Sequence, residues 1–344
     1  MSIRKAAVAG AVGLAAAGAA GAGIVHRRRT IARRSEDTGP AFGSLRSKGQ
    51  TVVADDGTPL YVEVDEVESK KPQLTVVFCH GYALNLDCWH FQREHYRTRG
   101  IRTVFYDQRS HGRSGRSPMG NATIDHLGSD LLTVLDAVAP EGPVVLVGHS
   151  MGGMAIMALA EHAPELFAER VAGVVLISTS AGRLDEVTFG LPEVVAKFHR
   201  PLLPVVRGAG RLTTAVADRA RRASSDLAWL LTRRYGFGTE RPSPALVSYV
   251  EQMNSTTSTE VIARYVHTLY THARLPALAT LRTVPVLVVC GDTDVLTPLA
   301  YSEEIVRELP DAELVVVEGG GHVVLLEHAF EVNEALRRFL ERTR

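Results

Sequence analysis

The sequence predicts an α/β fold: a mostly parallel sheet of about eight strands with helices on both faces, a helical cap insertion and an N-terminal apolar helix. Three observations predict it. Apolar runs without polar alternation recur along the chain with helical stretches between them, an opening pair of β-prone runs flanks a turn, and the strand–helix rhythm stops once and later resumes.

The opening pair is "QTVVADDGTPLYVEVDE", two runs around Asp55-Asp56-Gly57 that read as a hairpin. The runs "LTVVFCHG", "RTVFYDQ", "PVVLVGHS" and "VAGVVLIST" follow. Uninterrupted apolar runs of this length suit parallel strands buried on both faces. Helical patterns from Asn121 to Val138 and from Met151 to His162 supply the crossovers of a parallel sheet. The rhythm stops near Ser180 and returns at "TVPVLVVCGDTD" and "AELVVVEGGGH". The expected organisation is a core of residues 46–182 and 283–344, with 183–282 inserted as a helical cap.

Composition narrows the functions. The 344 residues are 45% hydrophobic and 22% charged, ordinary globular usage, with a formal net charge of zero. No global field and no aromatic-studded basic stripe favours nucleic acid, which is excluded as a partner. Cys79, Cys88 and Cys290 cannot build a disulfide framework, and Cys79 and Cys290 close apolar runs as core residues would. The histidines lack metal-ligand spacing, and no phosphate-cradling loop or dinucleotide fingerprint occurs, so no metal or cofactor is expected.

The chemistry centres on "VLVGHSMGGMAIMALAEHAPE", where Gly148-x-Ser150-x-Gly152 stands between a strand and a helix. A sharp turn there lifts a serine hydroxyl clear of the backbone, and glycines flank it because side chains would collide. A nucleophilic serine needs a base, and "VVVEGGGHVVLLEH" supplies His322 in a glycine-rich loop after a late strand. The base needs an orienting acid, and "VVCGDTDVLTP" offers Asp292 and Asp294. Asp294 is the expected acid, since an Asp directly beside Gly, as Asp292 is, more often caps the turn. "FCHGYALNLDCW" follows an earlier strand, and the Tyr82 amide there, with the Met151 amide after the nucleophile, would meet an oxyanion.

Taken in order, "HGY", "YDQRSHGRS", "GHSMGG", "GDTDVLTP" and "GGGH" resemble the α/β-hydrolase superfamily, specifically its capped esterase, lipase and haloperoxidase-like members, over about Gly49 to Leu340. The resemblance implies Ser150 as nucleophile, Asp294 as acid, His322 as base, and Tyr82 and Met151 as oxyanion amides. It implies that the insertion roofs a pocket for a small hydrophobic ester-like substrate. One departure is Ser110, where these proteins commonly have glycine. The leading reading is a serine hydrolase cleaving a carboxylic ester through an acyl-enzyme. The other class is a non-catalytic or slow-turnover small-molecule binding protein on the same scaffold.

Residues 1–45 stand apart. Ala6 to Val25 carries no charge over 20 residues, with Arg4 and Lys5 before it and "HRRRTIARR" after it. That length can span a bilayer, and the arginines would be retained on the cytoplasmic side. The expectation is an N-terminal membrane anchor with the catalytic domain facing the cytoplasm. A cleaved signal peptide and a leader that does not insert are the alternatives. Residues 183–241 hold 11 Lys and Arg against 6 Asp and Glu, either a solvated basic face or a surface near anionic headgroups.

Overall fold

The computed structural model describes residues 41–67, 74–187 and 214–343. Strands β1 (Gly49–Val53) and β2 (Pro59–Asp65) form the opening hairpin, pairing antiparallel. Strands β3 (Thr75–Cys79), β4 (Arg102–Tyr106), β5 (Val144–His149), β6 (Val171–Ile177), β7 (Val286–Gly291) and β8 (Glu313–Val317) follow. They join one eight-stranded sheet in the order β1-β2-β4-β3-β5-β6-β7-β8, with β2 antiparallel to β4 and every later pairing parallel.

Successive residues of a strand point to opposite faces, and here both faces are covered, which is why the runs lack alternation. Val76, Phe78, Val145, Val147, Val175 and Ile177 enter one core cluster. Their neighbours Val77, Cys79, Leu146, Val174 and Leu176 enter the other. The order reverses between β3, whose partner β4 lies on one side, and β5, which lies on the other. A parallel sheet opens a crevice at the carboxyl ends of its strands at such a switch point.

Helices α1 (His90–Arg97), α2 (Ile124–Val138), α3 (Met151–His162) and α4 (Pro164–Glu169) cover the first half. The helix expected from Asn121 begins at Ile124, because Thr123 caps it by accepting from the His126 amide. Between β6 and β7 lie α5 (Thr214–Gly236), α6 (Pro244–Thr256), α7 (Thr259–Tyr270) and the short α8 (Leu278–Leu281). Among the described residues this stretch contains no strand, only an isolated bridge between Gly182 and Ala273. Ser243 and Ser258 cap α6 and α7. Helix α7 docks through Val261 and Tyr265 in a cluster with Ile124, Leu127, Met151 and Met154. Helices α9 (Leu299–Glu308), α10 (Val324–Glu327) and α11 (Ala329–Arg342) complete the chain.

The expected membrane anchor is corrected. Among the described residues no helix is long and apolar enough to cross a membrane. The Ala6–Val25 segment and the N-terminal apolar helix expected there lie outside the described residues. Length suggested the span, but Ala adds little to insertion and Gly weakens both helix and hydrophobicity.

Candidate active site

The site is assembled at the carboxyl edge of the sheet. Strand β5 delivers Ser150, held at φ 51° and ψ −118° between the strand and α3. Its amide donates to Ile177 O at 2.9 Å, and its carbonyl accepts from Gly153 N at 2.9 Å and Thr179 Oγ1 at 2.7 Å. The glycines are steric necessities: a Cβ at Gly148 would stand 2.6 Å from Gly152 backbone, and one at Gly152 would stand 2.1 Å from Cys79 O. Burial of both flanking elements therefore fixes a backbone conformation that serine would not choose alone.

His322, from the loop after β8, places Nε2 3.0 Å from Ser150 Oγ and Nδ1 2.9 Å from Asp294 Oδ2. The carboxylate can only accept, so Nδ1 carries the hydrogen and Nε2 presents its lone pair to the serine hydroxyl. Asp294 sits after β7 and is 4% exposed. Its Oδ1 accepts from the Leu296 and Thr297 amides at 2.8 and 2.9 Å, and its Oδ2 accepts from Thr297 Oγ1 at 2.7 Å. Burial pushes this carboxyl up, but His322 beside it and the Thr297 donors outweigh burial and hold it below the usual range. Asp292 is exposed and accepts from the Gly319 amide at 2.8 Å, a turn cap as its place beside Gly291 suggested.

The Gly81-Tyr82 turn after β3 lies against the serine: a Cβ built on Gly81 would be 3.2 Å from Ser150 Cβ. His80 braces the turn, donating from Nδ1 to Gly81 O at 2.8 Å and accepting at Nε2 from Gln108 N at 2.9 Å. Met151 opens α3, so its amide belongs to the first turn of a helix, which aims amides at anions. Ser150, His322 and Asp294 are thus linked by direct contacts, and the Gly81-Tyr82 turn and Met151 lie beside Ser150 at the switch point between β3 and β5.

Sequence reasoning missed Thr297 and His149. Thr297 stands three residues after Asp294, the spacing at which an Asp receives the following amides and hydroxyl. His149 donates from Nε2 to His322 O at 2.9 Å, and its ring lies 4.9 Å from that of His322. Burial, then the neighbouring His322, holds His149 down to about 3, so it stays neutral beside the His322 ring. Ser110, the departure from glycine, has φ 66°. The loop keeps the glycine conformation, with Ser110 Oγ accepting from Ser117 N at 3.0 Å.

A profile of the alpha/beta hydrolase fold matches residues 75–329, and the chain belongs to that family. A non-heme haloperoxidase from Rhodococcus erythropolis is 30% identical over 302 residues, 84% of this chain and 98% of the relative. The crystal structure of bromoperoxidase from Bacillus anthracis matches with a TM-score of 0.68 at 21% identity, over 86% of this chain and 100% of that one. A thermophilic esterase from Thermogutta terrifontis matches with a TM-score of 0.65 at 24% identity, over 86% of this chain and 99% of that one. The chain is therefore an α/β hydrolase. These proteins are matched along almost their full lengths.

Proposed function

We propose that the chain is a serine hydrolase that cleaves a carboxylic ester of a small hydrophobic substrate through an acyl-enzyme. The observation that carries the reading is the pair of contacts at His322, 3.0 Å to Ser150 Oγ and 2.9 Å to Asp294 Oδ2. Ser150 Oγ attacks the ester carbonyl while His322 Nε2 takes its proton, and Asp294 stabilises the imidazolium. The Tyr82 and Met151 amides stabilise the tetrahedral oxyanion. His322 then returns the proton to the leaving alcohol, and water repeats the sequence to release the acid. The described part of the expected 183–282 cap, residues 183–187 and 214–282, covers this site and shapes the substrate pocket, while residues 188–213 lie outside the described residues. The esterase name of one structural neighbour agrees with ester cleavage, whereas haloperoxidase names among the others call for a panel of acyl substrates.

A fluorophosphonate should label Ser150, and p-nitrophenyl esters of increasing chain length should report turnover and pocket size. Ser150→Ala and His322→Ala should each lower kcat by about 10³-fold or more with the fold retained. Near-wild-type turnover in either variant refutes the assignment, and folded protein that neither labels nor turns over leaves the binding-protein class as the correct one.

A further inference from the structure

Ala83 follows the proposed oxyanion residue Tyr82 and has φ 58°, the left-handed region that an alanine disfavours. Something must hold it there. Within the turn, Leu84 N donates to Gly81 O at 3.2 Å. His80 Nδ1 donates to Gly81 O at 2.8 Å, and further support comes from the stretch between β6 and β7, far away in sequence. The Tyr82 hydroxyl donates to the Ile262 carbonyl in α7 at 2.5 Å, and Thr257 Oγ1 reaches Ala83 O at 3.5 Å. Two consecutive residues of the turn are thus tied to residues 257–262.

Helix α7 is itself firmly seated. Val261 and Tyr265 are buried, Tyr265 OH donates to Arg109 O at 3.3 Å, and Arg264 Nη1 donates to Ser117 O at 3.4 Å. The turn meanwhile packs against the strand end that carries the nucleophile: a Cβ built on Gly81 would stand 2.6 Å from His149 Nδ1 and 3.2 Å from Ser150 Cβ. A shift of the turn that moves Ala83 toward an ordinary conformation must also move the Tyr82 amide relative to Ser150.

We infer that the Tyr82 side chain is a positioning residue: its hydroxyl, seated on α7, holds the strained oxyanion turn, so docking of the roof helix is coupled to transition-state stabilisation. The inference rests on the serine-hydrolase reading. If the phenol ring merely filled space, phenylalanine would serve equally. If the hydroxyl holds the turn, its loss acts on the oxyanion and not on substrate binding.

The test is Tyr82→Phe in the full chain, preceded by fluorophosphonate labelling of both proteins. With p-nitrophenyl acetate, kcat should fall about tenfold, the rate equivalent of one lost hydrogen bond, while KM changes less than twofold. Inhibition by a small alkylboronic acid should weaken by the same factor. That adduct forms a bond from Ser150 Oγ to boron, passes the serine proton to His322 and leaves a tetrahedral anion in the oxyanion site. Ala83→Gly added to Tyr82→Phe should restore part of kcat, because glycine adopts the left-handed conformation without support. An unchanged kcat, a change confined to KM, unaltered boronate affinity or no recovery with glycine overturns the inference. Should Tyr82→Phe not fold, Thr257→Val carries the same test, with a kcat fall of about twofold at unchanged KM expected and an unchanged kcat refuting it. Absence of labelling in the wild-type protein sinks the catalytic reading itself, an outcome distinct from a labelled Tyr82→Phe with full kcat.

Discussion

Lowering the pH from 7 to 5 should remove much of the folding stability, because the core encloses histidines that cannot protonate in place. Burial, then His322, holds His149 at about 3, while burial holds His111 and His272 at about 4 each. His111 Nδ1 donates to Arg109 O at 2.9 Å and His272 Nε2 donates to Ser180 O at 3.0 Å, bonds that the neutral rings already make. The unfolded chain protonates each ring near pH 6.5, whereas the folded chain waits until about pH 4 or below. Between those values the unfolded state binds more protons, so stability falls as pH falls and levels off only below the folded values. At pH 5 each ring contributes a loss of about 2 kcal/mol, and three give about 6 kcal/mol, comparable with the whole stability of an ordinary domain. Urea midpoints measured across pH 7 to 4.5 should drop, with net proton uptake on unfolding at pH 5, to which the buried His80 adds and the Asp107 carboxyl, raised by burial to about 6, subtracts. A flat midpoint over that range refutes the burial argument. His272→Gln, which keeps a donor for Ser180 O, should reduce the proton uptake by about one.

Further substitutions at Asp130 and Ser110 probe the frame around the site. Arg109, 2% exposed, donates from Nε and Nη2 to the Asp130 carboxylate at 2.6 and 2.5 Å and from Nη1 to Asp56 at 2.8 Å. Asp130→Ala leaves that guanidinium short of a partner and should cost about 3–5 kcal/mol in denaturant unfolding, and a cost below about 1 kcal/mol would refute its dependence on Asp130. Ser110→Gly trades the Ser117 hydrogen bond for relief of the left-handed backbone and should leave stability within about 0.5 kcal/mol. Ser110→Ala loses the bond and keeps the strain, so it should be the less stable of the two by thermal unfolding, and the reverse order contradicts the reading.

The strands were legible because their burial on both faces erases polar alternation, as in "VVLVGH" of β5, where every residue is buried. Strand β8 has an equally apolar run, yet as the outermost strand it is only partly covered and Val316 is 44% exposed. Sequence reports side-chain type, while burial depends on what packs alongside. Ser150, Asp294 and His322 were legible because each ends a strand run in a short, glycine-marked turn. His149 was not: its contact with His322 O spans 173 residues of sequence and depends on which way a strand-end ring points. The Tyr82–Ile262 bond was hidden for the same reason, crossing from the β3 turn to a helix 180 residues later. At the N-terminus, length spoke for a membrane span and Ala/Gly content spoke against it.

Backbone strain is distributed with a pattern. Among the described residues, five that are not glycine have positive φ: Ala83, Ser110, Ser150, Ser178 and Arg183. The first four lie within four residues of the carboxyl ends of β3, β4, β5 and β6, adjacent strands at the centre of the sheet. Each such residue disfavours its conformation by about 1–2 kcal/mol, so the surroundings must over-determine it. The means are different in each case. Ser150 is clamped between β5 and α3 by steric contact at its glycines, Ser110 substitutes a hydroxyl bond for the missing freedom of glycine, and Ser178 is tied by its amide to Val289 O at 2.8 Å. Ala83 differs in having no side-chain polar group. Tyr82 ties its turn to Ile262 in α7, and Thr257, just before α7, reaches its carbonyl, so on the inference drawn above this turn is the strained position most exposed to movement of the stretch between β6 and β7. On that inference the sheet edge and α3 together hold Ser150, whereas the proposed oxyanion turn also depends on whether that stretch is docked.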